Sequence, residues 1–290
     1  MAFEGIKRGL VLTRDSIFVL KHNPRLLAFP VVAAVSAIAF LLLLLGPVFG
    51  ALIGLEGFDG RQTIETVVSD HTLVVGAVLF VAYLVTTFIS VFFTGALIAE
   101  SRAVFGEGGV DLKRGMAVAW EAKYKLLAWA LVSATVGVAI ESIESSDSPV
   151  TKVIGLVIGL AWTVLTFFVV PVAVLERDST IRSMFSDSGR TFREHFGETV
   201  IGLGIPRLLG AVVAVAGITL GVLLAELGGG MFVYVPITIS AVVLSQLLST
   251  TIRGILKTSL YVYATEGKRP PEFANQDFET LGAHQSGKRW

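Results

Sequence analysis

Few residues in this chain could do chemistry, and most of them stand where long apolar runs end. Glu176 closes Phe167-Phe168-Val169-Val170-Pro171-Val172-Ala173-Val174-Leu175, the last part of an uncharged run of 23 residues that begins at Val153. Arg207, Arg253 and Lys257 take similar places near the ends of two later apolar runs. An ionisable group at the edge of hydrocarbon is expensive when unpaired, so Glu176 is expected to pair with Arg207 or Arg253. Such a cluster could bind an anionic head group or gate a pathway; the plainer account is cations snorkelling at one membrane surface. Pro171 lacks a backbone donor and frees a carbonyl one turn back, near Phe167, which makes either a hinge or a kink tolerated near a helix end. Ser245, Ser249 and Arg253 recur at steps of four beside Gln246 and Thr250. That stripe lines a polar pathway or, as is more common, bonds a neighbouring helix.

Catalytic constellations are scarce. His22, His71, His195 and His284 fall in separate segments, and no HExxH, P-loop or GxSxG motif is present. With no cysteine in the chain, disulfides, thiolate metal sites and cysteine nucleophiles are excluded. No aspartate lies in any apolar run, so an intramembrane aspartyl hydrolase is disfavoured. The expectation is a protein without enzymatic activity, metal or cofactor.

The elements that must position these residues are membrane spans. Hydrophobic residues make up 53% of the 290 and charged residues only 16%, with a mean hydropathy of +0.76, far outside the soluble range. Runs of about 20 apolar residues cross the ~30 Å hydrocarbon core. The predicted fold is all-α, a polytopic membrane helix bundle of six transmembrane helices at about 26–50, 72–99, 124–141, 151–175, 200–225 and 231–258. Span 1 should tilt or break near Gly46-Pro47, and Glu100 and Arg102 should end span 2. Span 3 is the weakest, since only Leu126 to Ile140 lacks charge; Lys123 and Lys125 could extend it by snorkelling. Asn23-Pro24 and Ser148-Pro149 read as a cap followed by proline at the first helical position. Gly228-Gly229-Gly230 makes a very short connector, so spans 5 and 6 form an antiparallel hairpin, and Gly267 stops span 6. Residues 1–267 form one domain; 268–290 are polar, proline-broken and expected to be disordered.

Three amphipathic segments precede spans 1, 3 and 5. Phe3, Ile6, Leu10, Ile17 and Leu20 mark the first; Leu112, Met116, Trp120, Tyr124 and Leu127 mark the second. Ile181, Met184, Phe185, Ser188, Phe192 and Phe196 mark the third. They read as interfacial helices, with Phe185, Phe192 and Phe196 facing lipid. All but Arg61 and Lys152 of the 23 lysines and arginines then lie on one side, and Glu56, Asp59, Glu65, Asp70, Glu141, Glu144 and Asp147 on the other. The positive-inside rule places both termini in the cytoplasm of a cell-membrane protein. Ile6-Lys7-Arg8-Gly9-Leu10 is repeated as Leu112-Lys113-Arg114-Gly115-Met116 and echoed by Ile181-Arg182-Ser183-Met184, which suggests three units, each a surface helix followed by a hairpin of spans. Gly46-xxx-Gly50, Gly155-xxx-Gly159 and Gly217-xxx-Gly221 read as packing contacts.

Leu26-Leu27-Ala28-Phe29-Pro30, Thr166-Phe167-Phe168-Val169-Val170-Pro171 with Glu176, and Tyr261-Val262-Tyr263-Ala264-Thr265-Glu266-Gly267 together resemble an uncharacterised prokaryotic family of multi-spanning membrane proteins, catalogued only as a domain of unknown function. The resemblance implies a six-span protein of the cytoplasmic membrane and brings no activity, substrate or catalytic residue. The expected function is membrane-organising or accessory, with membrane lipids as partners, protein partners or self-association as further candidates, and no role for nucleic acid. The alternative is a small-solute transporter or channel, which a continuous polar cavity along Ser245, Ser249 and Arg253 would support.

Overall fold

The computed structural model describes residues 2–53, 72–106, 108–145, 148–196, 205–267 and 273. Among these residues it is almost wholly helical, without strands. Helix α1 is Ala2–His22 and a short 3-10 turn, Pro24–Leu27, leads into α2, Ala28–Ile53. Then come α3, Thr72–Val104, α4, Leu112–Glu121, and α5, Lys123–Glu144. Span 4 is divided into α6, Pro149–Leu165, and α7, Val169–Leu175. Helix α8 is Ile181–Phe196, α9 is Ile205–Leu224 and α10 is Gly230–Glu266. Six of the described stretches are long and apolar enough to cross a membrane: Pro24–Gly46, Thr72–Val104, Lys123–Glu144, Pro149–Leu175, Ile205–Gly228 and Gly230–Glu266. The protein is a multi-pass membrane protein. Acidic residues 56–70, the expected start of span 5 before Ile205 and all of the tail but Phe273 lie outside the described residues.

Sequence rules account for most boundaries. Asp111 caps α4, its carboxylate accepting from the Lys113 and Arg114 amides. Gly228 and Gly230 take φ of 108° and 54° in the turn between α9 and α10, and Gly267 takes 64° where α10 ends, conformations that only glycine adopts freely. Several boundaries differ. Asn23 does not cap the helix that follows; its amide donates back to the Val19 carbonyl and closes α1. Helix α2 runs through Gly46-Pro47 without a break. Helix α3 continues past Glu100 and Arg102 to Val104, because Glu100 is neutralised inside the protein. A turn at Ala122 separates α4 from α5, so Tyr124 and Leu127 belong to span 3, which at 22 residues is long enough to cross. Phe273, placed in the tail by the sequence, is buried edge-to-face on Phe105, 5.9 Å between centroids.

Packing follows the three-unit plan. Spans pair as hairpins, α2 with α3, α5 with α6, and α9 with α10. The second span of each hairpin meets the others: α3 packs on α7 and on α10, and α7 touches α10. Each helix outside the spans lies on the second span of another hairpin, α4 on α3, α8 on α7 and α1 on α10. Gly9 and Gly115 are both buried and Leu10 and Met116 both outward, the same pattern at matching positions of the repeated segment. The close approaches use small residues. A Cβ at Gly217 would stand 2.1 Å from Ala241 Cβ, one at Gly210 1.9 Å from Ser249 Oγ, and one at Gly155 2.8 Å from Glu144 Cγ, whereas Gly46 has nothing within 4 Å. Of the three small-residue motifs, two make contacts of this kind; Gly46 makes none.

This contrast sets a prediction. Gly217→Ala should destabilise the protein in detergent by about 1–3 kcal/mol through overpacking against Ala241, while Gly46→Ala should be neutral or gain up to about 1 kcal/mol of helix stability. Thermal unfolding of the two variants side by side measures it, and equal behaviour would remove the packing assignment.

Candidate functional site

The site grows from the interruption of span 4. Pro171 has no amide hydrogen, and its ring crowds the carbonyl one turn back. The helix stops at Leu165 and restarts at Val169. Unpaired main-chain groups at such a break are costly in an apolar setting. One side chain answers two of them: Ser188 Oγ donates to the Leu165 carbonyl at 2.8 Å and accepts from the Phe168 amide at 3.0 Å. Ser188 is fully buried, and its helix is thereby fastened across the break. Phe192 follows one turn later, buried against Phe167 and Phe168 at 5.3 and 6.1 Å. Phe185 meets Trp129 at 5.6 Å, and Trp129 stacks on Trp162 of α6.

From Met184 to Phe192 the apolar face of α8 is therefore turned into the protein, while Ile181 at its start is exposed. Phe192, expected to face lipid, is 1% exposed, and Phe185 is half-buried under Trp129; the side chain of Phe196 lies outside the described residues. An amphipathic helix with a Ser in its apolar face needs a polar partner beneath that face, and the broken span supplies one.

Below the break, Glu176 ends α7. Its carboxylate accepts from the Tyr261 hydroxyl of α10 through Oε1, rather than pairing with Arg207 or Arg253. Lys125 does not snorkel to solvent. Its ammonium donates to the Glu176 and Arg177 carbonyls at 3.0 and 2.9 Å and to Ser179 Oγ at 2.9 Å, tying span 3 to the end of span 4. Arg102 of α3 grips Glu266 of α10 with Nε at 3.0 Å and Nη2 at 2.6 and 2.8 Å. Together Arg102, Glu176, Tyr261, Thr265 and Glu266 line a cleft of ≈ 380 Å³ where three second spans end. A phenol–carboxylate pair beside a two-pronged ion pair can hold a proton and present hydrogen bonds to a polar ligand.

A second carboxylate is buried nearby. Glu100, 1% exposed, accepts from Arg114 Nε and Nη2 at 2.8 and 2.7 Å and from the Asp111 amide at 2.8 Å. Hydrogen bonding to Glu100 holds the Arg114 guanidinium above its ordinary pKa, against a smaller opposing effect of desolvation, and the charges of Glu100 and Asp111 add to it. A raised cation contributes stability that is complete below its unfolded pKa, so on the arginine side the pair persists through any working pH.

The remaining expected site residues divide in two. Ser245 and Ser249 are buried and bond across to α9, Ser245 Oγ donating to the Gly210 carbonyl at 2.6 Å and Ser249 Oγ to the Pro206 carbonyl at 3.2 Å. Arg253 donates to the Ser249 carbonyl at 3.1 Å, Lys257 sits 4.8 Å over the Phe167 ring, and Arg207 is exposed within electrostatic reach of both. No carboxylate pairs with these three cations among the described residues. Nor do the described residues hold three His, Asp or Glu grouped as metal ligands.

Sequence reasoning missed Tyr261, Ser188 and the partners of Glu100 and Glu266. One signal was available: Glu100, Glu176 and Glu266 each stand at the end of a second span.

Four substitutions test this reading. Ser188→Ala strands an amide and a carbonyl at the break and should lower stability by about 2 kcal/mol, while exposed Ser186→Ala should stay within about 0.5 kcal/mol. Arg114→Ala leaves the Glu100 charge buried and should cost about 3 kcal/mol; Arg114→Lys should restore little of it, since the lysine cannot form both parallel bonds. Unfolding in detergent measures all four.

A profile described as a family of unknown function, DUF6159, matches residues 73–270, from the start of span 2 to just past span 6. No curated protein and no solved structure matches the chain. With six spans, a braced break in the fourth and a profile that covers more than half of its length, the chain belongs to the DUF6159 family of unknown function.

Proposed function

We propose that this is a membrane-organising or accessory protein without enzymatic activity, seated in the cytoplasmic membrane with both termini inside. The observation that carries the reading is the outward apolar surface of the two helices that precede spans 1 and 3. Helix α1 buries Leu12, Ser16 and Val19 in the bundle yet turns Leu10, Ile17 and Phe18 outward. Helix α4 buries Gly115 and Ala119 and exposes Leu112, Met116 and Trp120. Lys123 lies 4.5 Å over the Trp120 ring and 5.2 Å over Tyr124. Apolar side chains beside cations, on helices too short or too polar to cross, suit the head-group region of a leaflet. Arg207, Arg253 and Lys257, without carboxylate partners among the described residues, add charge that an anionic head group would neutralise.

The second reading, a small-solute transporter or channel, draws on the ≈ 380 Å³ cleft beside Glu176. It is less well supported, because the hydroxyls of Ser245 and Ser249 are engaged by α9 carbonyls instead of lining a passage.

The absence of cysteine makes the orientation directly testable. Single cysteines at Ser145 and Glu226 should react with a membrane-impermeant maleimide in intact cells, and cysteines at Lys113 and Arg190 only after permeabilisation; the opposite pattern would invert the topology. In proteoliposomes the protein should co-purify with anionic lipid and leave solute leakage at the protein-free rate. Saturable solute uptake would replace the organising role with transport.

A further inference from the structure

Between α2, α3 and α10 lies a cavity of ≈ 240 Å³ that none of the features above uses. One wall is Pro30, Ala33, Ala34 and Ala37 of α2; Phe93 and Leu97 of α3 and Leu247 of α10 complete an apolar lining. Among the described residues no charged one lines it. Five polar side chains do, and they fall into two groups. Thr86 donates to the Ala82 carbonyl at 2.8 Å and Thr94 to the Ser90 carbonyl at 2.7 Å, so their donors are engaged by their own helix. Ser90, Gln246 and Thr250 line the same cavity and their side chains have no hydrogen-bond partner among the described residues. Gln246 alone brings two donors and an acceptor, and it is exposed within the span.

Depth narrows the occupant. Gln246 lies sixteen residues from Gly230 and twenty from Glu266, the two ends of span 6, about 24 and 30 Å by helical rise. Ser90 lies ten residues inside Glu100, about 15 Å. The half-thickness of the hydrocarbon core is itself about 15 Å. Water is scarce there, and charged or zwitterionic head groups do not reach it. The molecules that carry a hydrogen-bonding group to this depth are neutral lipids whose polar part is a hydroxyl or a carbonyl.

We propose that this cavity binds such a neutral lipid, with its hydroxyl or carbonyl between Gln246, Ser90 and Thr250 and its hydrocarbon against Phe93, Leu97 and the alanines of α2. The site is separate from the cleft at Glu176 and depends on neither the organising nor the transport reading.

The test uses the full-length protein in phosphatidylcholine nanodiscs with a diacylglycerol bearing a photoreactive acyl chain. A phosphatidylcholine with the same photoreactive chain reports ordinary boundary lipid. The diacylglycerol should label peptides of α2, α3 and α10 around the cavity and be displaced by unlabelled diacylglycerol. Gln246→Leu and Ser90→Ala should each reduce that labelling at least fivefold, and Leu43→Ala, on an outward face, should not. The proposal is overturned if the phosphatidylcholine labels the same peptides equally, or if folded variants label as the parent does. It is also overturned if Gln246→Leu changes only the oligomeric state, which would assign the amide to a second copy of the chain. Should Gln246→Leu fail to fold, Ser90→Ala and Thr250→Val carry the same comparison, and unchanged labelling in both rejects the site.

Discussion

A broken helix inside an apolar bundle must find partners for its freed main-chain groups, and the structure near span 4 depends on how this one does. Water is not at hand to satisfy the groups between Leu165 and Val169, and an unpaired amide or carbonyl there would be strongly destabilising. The Ser188 hydroxyl meets both needs because it donates and accepts at once. That double bond of attachment fixes α8 against the break and buries Met184 and Phe192 beneath it. It also sets where α7 begins, and so where Glu176 reaches Tyr261 and where Lys257 finds the Phe167 ring. A proline alone would have left a flexible joint. A proline with a buried serine opposite makes a fixed corner.

The same end of the bundle shows one electrostatic problem solved three ways. Glu100, Glu176 and Glu266 each close the second span of a hairpin, and each carboxylate is met by a group from another element. Glu100 is bonded by Arg114 of α4, Glu176 by the Tyr261 hydroxyl of α10, and Glu266 by Arg102 of α3. Two of these contacts join different hairpins, which links spans 2, 4 and 6 where they converge. Elsewhere the hairpins rely on close approach of small residues, as where Gly210, Gly217 and Gly221 admit α10 against α9. Directional bonds at one end and shape-dependent packing along the spans are different kinds of constraint, and only the first specifies which hairpin neighbours which.

The spans, their number and the three helices outside them were legible in the sequence, because length and continuous hydropathy are one-dimensional properties. So was the glycine turn between spans 5 and 6, since positive φ leaves glycine little competition. What escaped was the identity of what covers each apolar face. The period of α8 identifies an apolar face, but lipid and protein interior are both apolar, so Phe192 reads the same whether it meets acyl chains or Phe167. The wheel of α1 likewise places Leu10 and Ile17 on an apolar face, while the bundle takes Leu12, Ser16 and Val19. Ion pairing escaped for a related reason. Opposite charge suggested Arg253 for Glu176, yet the partner is set by which side chain lies across the interface, and that is a tyrosine. The polar stripe of span 6 was correctly bounded by its two readings; only the depth of Gly210 and Pro206 on the facing helix decided for packing.

Charge is distributed so that one end of the protein differs in kind from the middle. Glu100, Glu176 and Glu266 stand at or near the ends of their spans, Arg253 and Lys257 lie thirteen and nine residues inside Glu266, and Ser90, Gln246 and Thr250 deeper in are neutral. On the proposed reading, a lysine or arginine near an anionic surface would contribute about 1 kcal/mol, so Arg207, Arg253 and Lys257 would add a few such increments rather than a deep binding well. The outward residues Leu10, Phe18, Met116 and Trp120 would act at that same surface by burial of apolar area. On the proposed orientation both effects load a single leaflet. That coincidence of cations and outward apolar residues on one side is what the proposed membrane-organising reading rests on.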